Sequence, residues 1–340
     1  MSQQLHFEKH LLGGSSQTLK LAFILDPLAG LKAWKDTSIA MMRAAEKHGH
    51  EVYAIDSATL CWRRPEPGHH TGGVFAEAVH LHLRPDDHDW YRETGREWIS
   101  LKFFDAVIMR KDPPFDFEYI TATWLLERAE ASGVRVFNKP QALRNHSEKI
   151  AITEFDAFTT PTLVTRDTKQ LNQFIDEQRD VILKPLDGMG GSQIFRVHHN
   201  DPNRNVIIET LTHEGMRTIM AQHYLREISA GDKRILLIAG KPVPYCLARI
   251  PKAGETRGNL AVGGTGVAQD LSPRDREIAE TLGPILFKRG LMLVGLDVIG
   301  NHLTEINVTS PTCMVEIRQQ TGFDAAGAFI TAVEHACGLT

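Results

Sequence analysis

The amino-terminal third of the chain alternates between short apolar runs and a segment with helical spacing. Residues 19–25 and 52–55 are apolar runs of strand length. Between them, a polar pair at 36–37 can cap a helix that ends at about Lys47, just before a glycine at position 49. This β-α-β order predicts a parallel sheet with a ligand crevice at the carboxyl ends of its strands.

The pattern continues in the same style up to about residue 145. Residues 79–83 alternate between apolar and polar side chains, which predicts a half-exposed strand. A buried strand is predicted at 106–109, followed by a helix that ends at Ala131 and by a strand at 134–137. We expect these elements to complete the first domain.

From Ser147 onward the pattern favours short strands that pair with their neighbours. Ser147 can cap a helix that carries Glu148, Lys149 and Ile152. Strands are predicted at 161–165, 181–183, 193–197, 207–209 and 218–222, with a short helix at 171–177. The run at 181–183 is expected to end at Lys184, because Pro185 has no amide donor. This part is therefore α+β in character.

The last part contains two predicted hairpins around a glycine-rich stretch. The first pairs 235–238 with 243–250, and the second pairs 291–299 with 303–308. Between them, residues 252–266 contain many glycines and little that can pack, so we expect a mobile lid. A helix ending at Lys288 follows it.

These patterns divide the chain into four parts. We expect a flexible arm at 1–19, a Rossmann-like domain at 20–145, an α+β subdomain at 146–222 and a second one at 223–340.

Composition and charge exclude several classes of function. The chain has 340 residues and a net charge of −4, with no basic excess to favour nucleic acid or an anionic membrane. No apolar run is long enough for a membrane span. The four cysteines lie far apart and form no metal-binding or disulfide pattern, which favours a cytoplasmic protein.

A glycine-rich loop after the predicted strand 181–183 is typical of an anion site. The loop contains Gly188, Gly190 and Gly191, and Lys184 precedes it. Glycines allow backbone N–H groups to approach a ligand, and successive N–H groups beside a lysine suit a polyphosphate. An ordinary glycine-rich hairpin with an exposed lysine remains open at this point, because the loop matches neither common phosphate-binding motif.

Charged residues also follow the predicted strand at 106–109. Arg110, Lys111, Asp112 and Asp116 supply two cations and two carboxylates at a position suited to a zwitterionic small molecule. A solvated loop stiffened by prolines is the alternative. The histidines at 69–70, 80 and 82 have no recognisable metal-binding spacing, so we expect them at the surface.

The second hairpin predicts a metal site. If its loop comprises residues 300–302, Asp297 stands opposite Glu305, and Asn307 lies on the same face. Two opposed carboxylates about 5 Å apart would repel each other by roughly 3 kcal/mol. A bound Mg²⁺ would remove that repulsion, and oxygen ligands suit it. A two-residue loop would instead separate the two carboxylates.

A set of long motifs occurs in a fixed order along the chain. They read M-R-K-D-P-P-F-D, N-K-P-Q-A-L-R-N-H-S-E-K, I-L-K-P-L-D-G-M-G-G, M-A-Q-H-Y-L, G-D-K-R, Y-C-L-A-R-I-P, G-E-T-R-G-N-L and L-T-E-I-N-V-T-S-P-T. Together they resemble bacterial glutathione synthetases, which are ATP-grasp ligases, over about residues 20–334. The resemblance implies an ATP-grasp fold of α/β and α+β type, with a Rossmann-like amino-terminal domain.

The resemblance also implies a reaction and its participants. ATP and Mg²⁺ or Mn²⁺ would convert γ-glutamylcysteine and glycine into glutathione, ADP and phosphate through an acyl phosphate. It further implies a homo-oligomer, either a dimer or a tetramer, in the cytoplasm.

Site residues follow by their positions in the motifs. The resemblance implies nucleotide binding by Lys149, Lys184, Gly188, Gly190, Gly191, Gln222, Tyr224, Leu225 and Asp232, and metal binding by Asp297, Glu305 and Asn307. It implies catalytic roles for Arg234 and Arg249, and substrate binding by Asp26, Arg110, Asp112, Arg257, Thr309 and Ser310.

One residue departs from the family pattern, and two other functions remain open. Thr265 stands where this family more usually has an arginine, which affects how tightly the lid would close. An ATP-grasp ligase with another acceptor, and an ATP-binding protein without catalysis, are the competing hypotheses. An NAD-dependent oxidoreductase is not supported, because the turn at 26–30 lacks the dinucleotide glycine pattern.

Overall fold

Three β-sheets organise the part of the chain that the computed structural model describes, which is residues 17–64, 72–188, 190–252, 254, 258, 260 and 263–339. Helices cover these sheets, so the mixed α/β and α+β architecture is confirmed. Among the described residues, none of the helices combines the length and apolar character that a membrane crossing requires.

The first sheet contains the predicted β-α-β unit. Its strands are β1 Lys20–Leu25, β2 Glu51–Asp56, β3 Cys61–Arg63, β4 Gly73–Leu83, β5 Tyr91–Ser100, β6 Ala106–Met109 and β7 Val136–Phe137. Its order is β3-β4-β2-β1-β6-β7, with β5 paired to β4. Strand β1 runs parallel to both β2 and β6, so their carboxyl ends lie along one edge.

Helices α1 Thr37–Lys47, α2 Phe117–Ala131 and α3 Pro140–Asn145 accompany this sheet. The predicted cap of α1 is confirmed, because the Asp36 side chain accepts a hydrogen bond from the Ile39 amide at 2.9 Å. Strand β5 was not predicted. Its side chains at 92–98 are exposed, so no buried face marks it in the sequence.

The second sheet is fully antiparallel. It consists of β8 Thr162–Thr165, β9 Asp180–Pro185, β10 Phe195–His198 and β11 Ile219–His223 in the order β10-β9-β11-β8, with helices α4 Thr168–Gln178 and α5 Arg204–Thr212. The strand predicted at 207–209 is wrong, since these residues lie in α5. Ile208, Leu211 and Thr212 are its buried residues, and they have helical spacing.

The predicted end of β9 at Lys184 is also wrong. The strand continues through Pro185, which pairs with Ile219 of β11. On the other side of β9, pairing with β10 reaches only as far as Leu183, which stands opposite Phe195. Pro185 therefore has a partner strand on one side only, the kind of position at which a strand tolerates proline.

The helix predicted to begin at Ser147 starts later. A 3-10 helix spans Ile150–Phe158, and Glu148 and Lys149 precede it. The Glu148 carbonyl accepts a hydrogen bond from the Ile306 amide at 2.8 Å. This backbone contact draws residues 148–149 out of the helix and against a strand of the third sheet.

The third sheet carries the predicted hairpins. Its strands are β12 Asp232–Ile238, β13 Lys241–Ile250, β14 Thr265–Asp270, β15 Leu293–Ile299 and β16 His302–Asn307, in the order β14-β13-β12-β15-β16. Helices α6 Pro273–Lys288, α7 Met314–Thr321 and α8 Ala325–Ala336 complete it. The predicted end of α6 is confirmed, and Gly290 follows with a φ of 96°.

Two predicted segments lie partly outside the described residues. Of the proposed arm, residues 17–19 are described, and Leu19 is buried with its carbonyl bonded to the Glu51 amide. Of the proposed lid, the last two residues belong to β14, where Thr265 pairs with Ile250. That end of the segment is therefore sheet.

The buried side chains form more than one core. Met109 of the first sheet and Leu296 of the third belong to the same buried cluster. The second sheet has a separate one, which includes Leu171, Ile175 and Leu183. One face of the second sheet thus packs on its own core, whereas Met220 of β11 belongs to the cluster shared by the other two sheets. A crevice lies between the second sheet and this joined pair.

Candidate active site

A cavity of about 510 Å³ occupies this crevice. Segments of all three sheets line it. The predicted site residues that line it are Asp112, Lys149, Lys184, Gly188, Gly190, Gly191, Gln222, Tyr224, Leu225, Asp232, Arg234, Arg249, Asp297, Glu305, Asn307, Thr309 and Ser310. Arg257 lies outside the described residues.

Two buried lysines stand near one another in this cavity. The Lys149 Nζ donates to the Gly188 carbonyl at 2.7 Å and lies 3.1 Å from the Glu305 Oε1. The Lys184 Nζ donates to the Thr304 carbonyl at 3.3 Å. The pKa of Lys184 is lowered to about 8, mainly by burial and in smaller part by Lys149, against the opposing effect of Glu305. Lys184 is thus a cation that an anionic ligand would stabilise.

Lys149 is held differently. Burial lowers its pKa, but the Glu305 carboxylate outweighs burial, so the pKa of Lys149 is raised. Its bond to the Gly188 carbonyl also ties it to the glycine-rich loop. In that loop Gly190 and Gly191 have φ values of 63° and 78°, which glycine adopts without strain.

The hairpin of β15 and β16 brings the predicted carboxylates together by an unexpected route. Its turn has two residues, because Ile299 pairs with His302. The expected three-residue loop is therefore wrong. Asp297 nevertheless stands opposite Glu305, since the register shifts beyond Val298 and Thr304 becomes an additional bulge residue.

Arginines neutralise Asp297. The Arg234 Nε lies 2.6 Å from Asp297 Oδ1, and the Arg249 Nη2 lies 2.9 Å from Asp297 Oδ2. Burial alone would raise the pKa of Asp297, but these two arginines outweigh it and lower the pKa. With Glu305 paired to Lys149, both carboxylates are compensated by protein cations. A divalent cation is therefore not required to offset their repulsion, contrary to the prediction.

Asp232 is less well compensated. Arg249 contacts its Oδ2, whereas its Oδ1 is buried and has no hydrogen-bond partner. Burial raises the pKa of Asp232 to about 6, although Arg249 opposes the shift. One carboxylate oxygen is thus available to a ligand.

The donor set around the hairpin fits a hard divalent cation. The Asn307 Nδ2 donates to the Gly295 carbonyl at 3.1 Å, which leaves its Oδ1 for another partner. Glu305 contributes a carboxylate on the same hairpin, with one oxygen bonded to Lys149. Oxygen ligands of this kind suit Mg²⁺ or Mn²⁺.

Another part of the cavity is lined by the end of β11 and the residues that follow it. Gln222, Tyr224 and Leu225 lie at the end of β11, near Ile182. The Arg196 guanidinium covers one face of the Tyr224 ring, 3.7 Å from its centre. Its Nε and Nη2 donate to the two carboxylate oxygens of Asp180. The Leu225 N–H has no acceptor among the described residues. A flat ring with a hydrogen-bond acceptor would fit here.

The residues predicted to bind a dipeptide do not all reach the cavity. Asp26 bonds to Lys111 and to the Asp112 amide. Arg110 is buried and donates to Ser38 and to the Pro311 carbonyl, each at 2.9 Å. Both residues brace the cavity wall from behind.

The backbone at Thr309, predicted to bind a carboxylate, is already occupied. Its amide donates to Glu148 Oε1 at 3.0 Å, and the same oxygen accepts from the Val308 amide and the Thr309 hydroxyl. Glu148 lines the cavity and was not predicted. Its position directly before Lys149 was the available signal. Lys32, Lys35 and Glu316 also line the cavity and were not predicted.

A second cluster of possible metal ligands lies outside the cavity. His48, His50 and Glu334 bring their side chains together. However, the Leu19 amide donates to His50 Nδ1, so the proton of the neutral ring sits on Nε2 and donates to Glu334. This cluster is a hydrogen-bonded contact between α8 and the end of α1. Of the histidines expected at the surface, His82 is exposed and bonds to Glu46, whereas His80 is half-buried and bonds to Thr94. Residues 69–70 lie outside the described residues.

Family models cover most of the chain. Residues 19–144 match the model of the prokaryotic glutathione synthetase N-terminal domain. Residues 148–322 match the model of the prokaryotic glutathione synthetase ATP-grasp domain.

Curated relatives are similar over nearly their whole length. The glutathione synthetase of Nitrosomonas europaea is 61% identical over 93% of this chain and 98% of its own. That of Ralstonia nicotianae is 58% identical over 94% of this chain and 97% of its own.

Solved structures share the fold at much lower identity. The D-cycloserine synthetase DcsG has a TM-score of 0.64 at 13% identity, over 93% of this chain and 99% of its own. The ATP-grasp ligase PsnB, complexed with a minimal precursor, has a TM-score of 0.60 at 18% identity, over 94% and 99%. At these identities the likeness concerns the fold alone.

Proposed function

The chain belongs to the prokaryotic glutathione synthetase family, an ATP-dependent ligase family of glutathione synthesis, and we propose that its cavity joins γ-glutamylcysteine to glycine. The carboxylate of the cysteinyl residue attacks the γ-phosphorus of ATP, and ADP leaves. The glycine amine then attacks the acyl carbon of the resulting acyl phosphate. Phosphate leaves, and an amide bond has formed.

One observation carries this proposal. Cations suited to a polyphosphate and oxygen ligands suited to a divalent cation line a single cavity, together with Ile182, Tyr224 and Leu225. Lys149 and Lys184 are both buried there, and the pKa of Lys184 is lowered to about 8 by burial. Transfer to a carboxylate brings anions together, so positioning and charge neutralisation supply most of the catalysis.

The nucleotide would lie along this arrangement. The adenine ring fits beside Gln222 and Tyr224, where the Leu225 N–H is available as a donor. The phosphates then reach Lys149, Lys184 and the loop of Gly188, Gly190 and Gly191. Asp232 contributes its unpaired oxygen to the same region.

We propose that Glu305 and Asn307, with Asp297 behind them, hold Mg²⁺ or Mn²⁺. A divalent cation supplies charge neutralisation to the phosphates when it is bound. Asn307 is oriented for this role by its bond to the Gly295 carbonyl. Asp297 keeps Arg234 and Arg249 in place, and their fixed forks suit a transferring phosphoryl group and a substrate carboxylate.

Some of the remaining predicted substrate residues line the cavity, whereas others hold its wall in place. Asp112 and Ser310 line the cavity and bond to each other. Asp26 and Arg110 hold this wall from behind. Thr309 is placed by Glu148, and Arg257 stays a prediction.

We also propose a homo-oligomer, a dimer or tetramer, that works in the cytoplasm. Large aromatic side chains such as Trp98 and Phe117 are exposed, and aromatic residues are enriched at protein interfaces. The four cysteines are free thiols, the form that a reducing cytosol maintains. Light scattering of the purified protein measures the oligomeric state.

The decisive experiment is release of ADP from Mg-ATP and γ-glutamylcysteine, with and without glycine. We expect release that rises sharply with glycine, and glutathione in equal amount. Release that is independent of glycine would indicate another acceptor. Binding of ATP without any release would contradict a ligase.

A further inference from the structure

The end of the cavity away from the adenine region carries charges that the proposed reaction has not used. Lys35 from the segment before α1 and Glu316 from the first turn of α7 both line it. They lie far apart in the chain. Lys35 belongs to a connection of the first sheet, and Glu316 belongs to a helix that accompanies the third sheet. The cavity wall between this end and the metal-binding hairpin is formed by residues 309–313.

Glu316 has an unmet hydrogen-bonding group. Its Oε2 is buried and has no hydrogen-bond partner. Burial raises the pKa of Glu316, while the nearby charge of Lys35 acts in the opposite direction. A buried carboxylate oxygen without a donor is uncommon in proteins, so a cationic donor from a ligand would stabilise it.

Lys35 is the complementary group. Its ammonium lies 5.1 Å from the centre of the Trp34 ring. Across the described ranges, its Nζ makes no hydrogen bond and lies within 4.0 Å of no carboxylate, Glu316 included. A cation and an anion therefore share one end of the cavity, close enough to influence each other but not in contact.

The neighbouring carboxylates at this end already have partners. Asp36 accepts a hydrogen bond from the Ile39 amide and so caps α1. Asp112 accepts the Ser310 hydroxyl. Lys32 also lines the cavity but is exposed to solvent. Lys35 and Glu316 are thus the pair best placed to receive a ligand.

We infer that Lys35 and Glu316 bind the α-carboxylate and the α-ammonium of the γ-glutamyl group. This inference rests on the proposed function. The γ-glutamyl head is zwitterionic and lies at the end of the dipeptide opposite to the reacting cysteinyl carboxylate. With the head at Lys35 and Glu316, the dipeptide runs along residues 309–313, and its other end points toward Arg234.

The pairing also gives specificity. A substrate that lacks the ammonium leaves the Glu316 oxygen buried and unpaired, and one that lacks the carboxylate leaves Lys35 without its anion. A site with buried polar groups rejects ligands that cannot pair with them. The site therefore selects γ-glutamyl compounds over other acylated cysteines.

Two analogues of γ-glutamylcysteine separate the two contacts. Glutaryl-cysteine keeps the carboxylate and lacks the ammonium, whereas 4-aminobutyryl-cysteine keeps the ammonium and lacks the carboxylate. Dissociation constants are measured by calorimetry with Mg-ADP present, for the unaltered protein and for Glu316→Gln and Lys35→Met. The matched controls are Glu280→Gln and Lys47→Met, which change exposed residues outside the cavity.

We expect Glu316→Gln to weaken γ-glutamylcysteine by about 10- to 100-fold, the range of a hydrogen bond between charged groups, and to change glutaryl-cysteine by less than about twofold. Lys35→Met should weaken γ-glutamylcysteine and glutaryl-cysteine and leave 4-aminobutyryl-cysteine nearly unchanged. An equal loss for γ-glutamylcysteine and both analogues, or no loss, would overturn the inference. ADP release by the unaltered protein with γ-glutamylcysteine and glycine reports separately on the proposed function.

Discussion

Lys149 and Glu305 form an ion pair, with 3.1 Å between Nζ and Oε1. A residue proposed to bind phosphate and one proposed to bind a metal are thus partners in the free protein. Each of these two charges is compensated by the other before any ligand enters, which avoids the penalty of an unpaired charge at this site. Nucleotide and cation would enter together. The phosphates would replace Glu305 as the partner of Lys149, and the cation would replace Lys149 as the partner of Glu305.

Replacing Glu305 by glutamine tests this arrangement. The amide oxygen can still accept a hydrogen bond from Lys149, so the fold should remain, whereas the negative charge at the metal site is lost. We expect kcat to fall by about 100-fold or more, as for other removed charge-stabilising groups. The measurement is steady-state ADP release, with circular dichroism to monitor the fold.

Glu154→Gln serves as the matched control, since Glu154 also forms an ion pair, with Arg289, but lies at the surface. It should retain normal turnover. Normal turnover in Glu305→Gln would refute the metal assignment.

Lys184 predicts a pH dependence for nucleotide binding. Because burial lowers its pKa to about 8, Lys184 loses its charge as the pH rises through that value. We expect ATP affinity to decline above about pH 8, and ATP binding at pH 8.5 to take up protons. Calorimetry in two buffers of different ionisation enthalpy measures this uptake.

The same shift has a definite sign for stability. The unfolded lysine binds its proton up to a pKa near 10.5, whereas the folded one releases it near 8. Between these values the unfolded state holds more protons, so this group favours the nucleotide-free fold increasingly as the pH rises. In Lys184→Arg, which keeps its charge, neither effect should appear. An ATP affinity that stays constant from pH 7 to 9.5 in the unaltered protein would exclude the proposed lysine contact.

Truncating the Glu148 side chain is expected to lower the stability of the fold. Glu148→Ala leaves the Val308 amide, the Thr309 amide and the Thr309 hydroxyl without their acceptor. We expect unfolding in urea to require about 1–3 kcal/mol less free energy. Glu148→Gln keeps an acceptor oxygen and should lose less. Glu209→Ala, at an exposed position on α5, should stay near the unaltered value. Equal stability of Glu148→Ala and this control would show that the three bonds contribute nothing.

Arg196 predicts a modest effect on nucleotide binding. Its guanidinium supports the Tyr224 ring at 3.7 Å, and Asp180 holds it there. Arg196→Ala should weaken ATP by about 0.5–2 kcal/mol, the range of such contacts between a cation and a ring. Arg204→Ala removes another arginine–aspartate pair of the same subdomain, and it should not change ATP affinity. Similar changes in the two variants would argue against a role for the Tyr224 support.

Local patterns identified some of the charged residues that line the cavity, and the family resemblance added others. Lys184 and the glycines after it follow an apolar strand, and Asp297 and Glu305 lie in two apolar runs around a turn. Such signals are contained within a few neighbouring residues. The expectation of a Rossmann-like domain followed by two α+β subdomains came from the order of strands and helices together with the family resemblance.

Contacts between distant segments could not be predicted in this way. Lys35 and Glu316 share one end of the cavity although 281 positions separate them (316 − 35 = 281). Glu148 was missed because its partners, at 308 and 309, lie in the distant segment that follows β16. The arginines on Asp297 arrive from β12 and β13, so their effect on its charge depends on strand pairing.

The bulge at Thr304 has a consequence for insertions and deletions. The hairpin turn is one residue shorter than an opposed Asp297 and Glu305 would need in regular pairing, and the bulge adds that residue back. Because the bulge residue lies between the pairs Val298–Leu303 and Asp297–Glu305, deleting Thr304 would leave both pairs opposed. Glu305 and Asn307 would keep the face that they have now, since residues opposite one another in a hairpin point to the same side. The hairpin can therefore lose one residue at this point among related sequences without moving the proposed metal-binding residues to the other face.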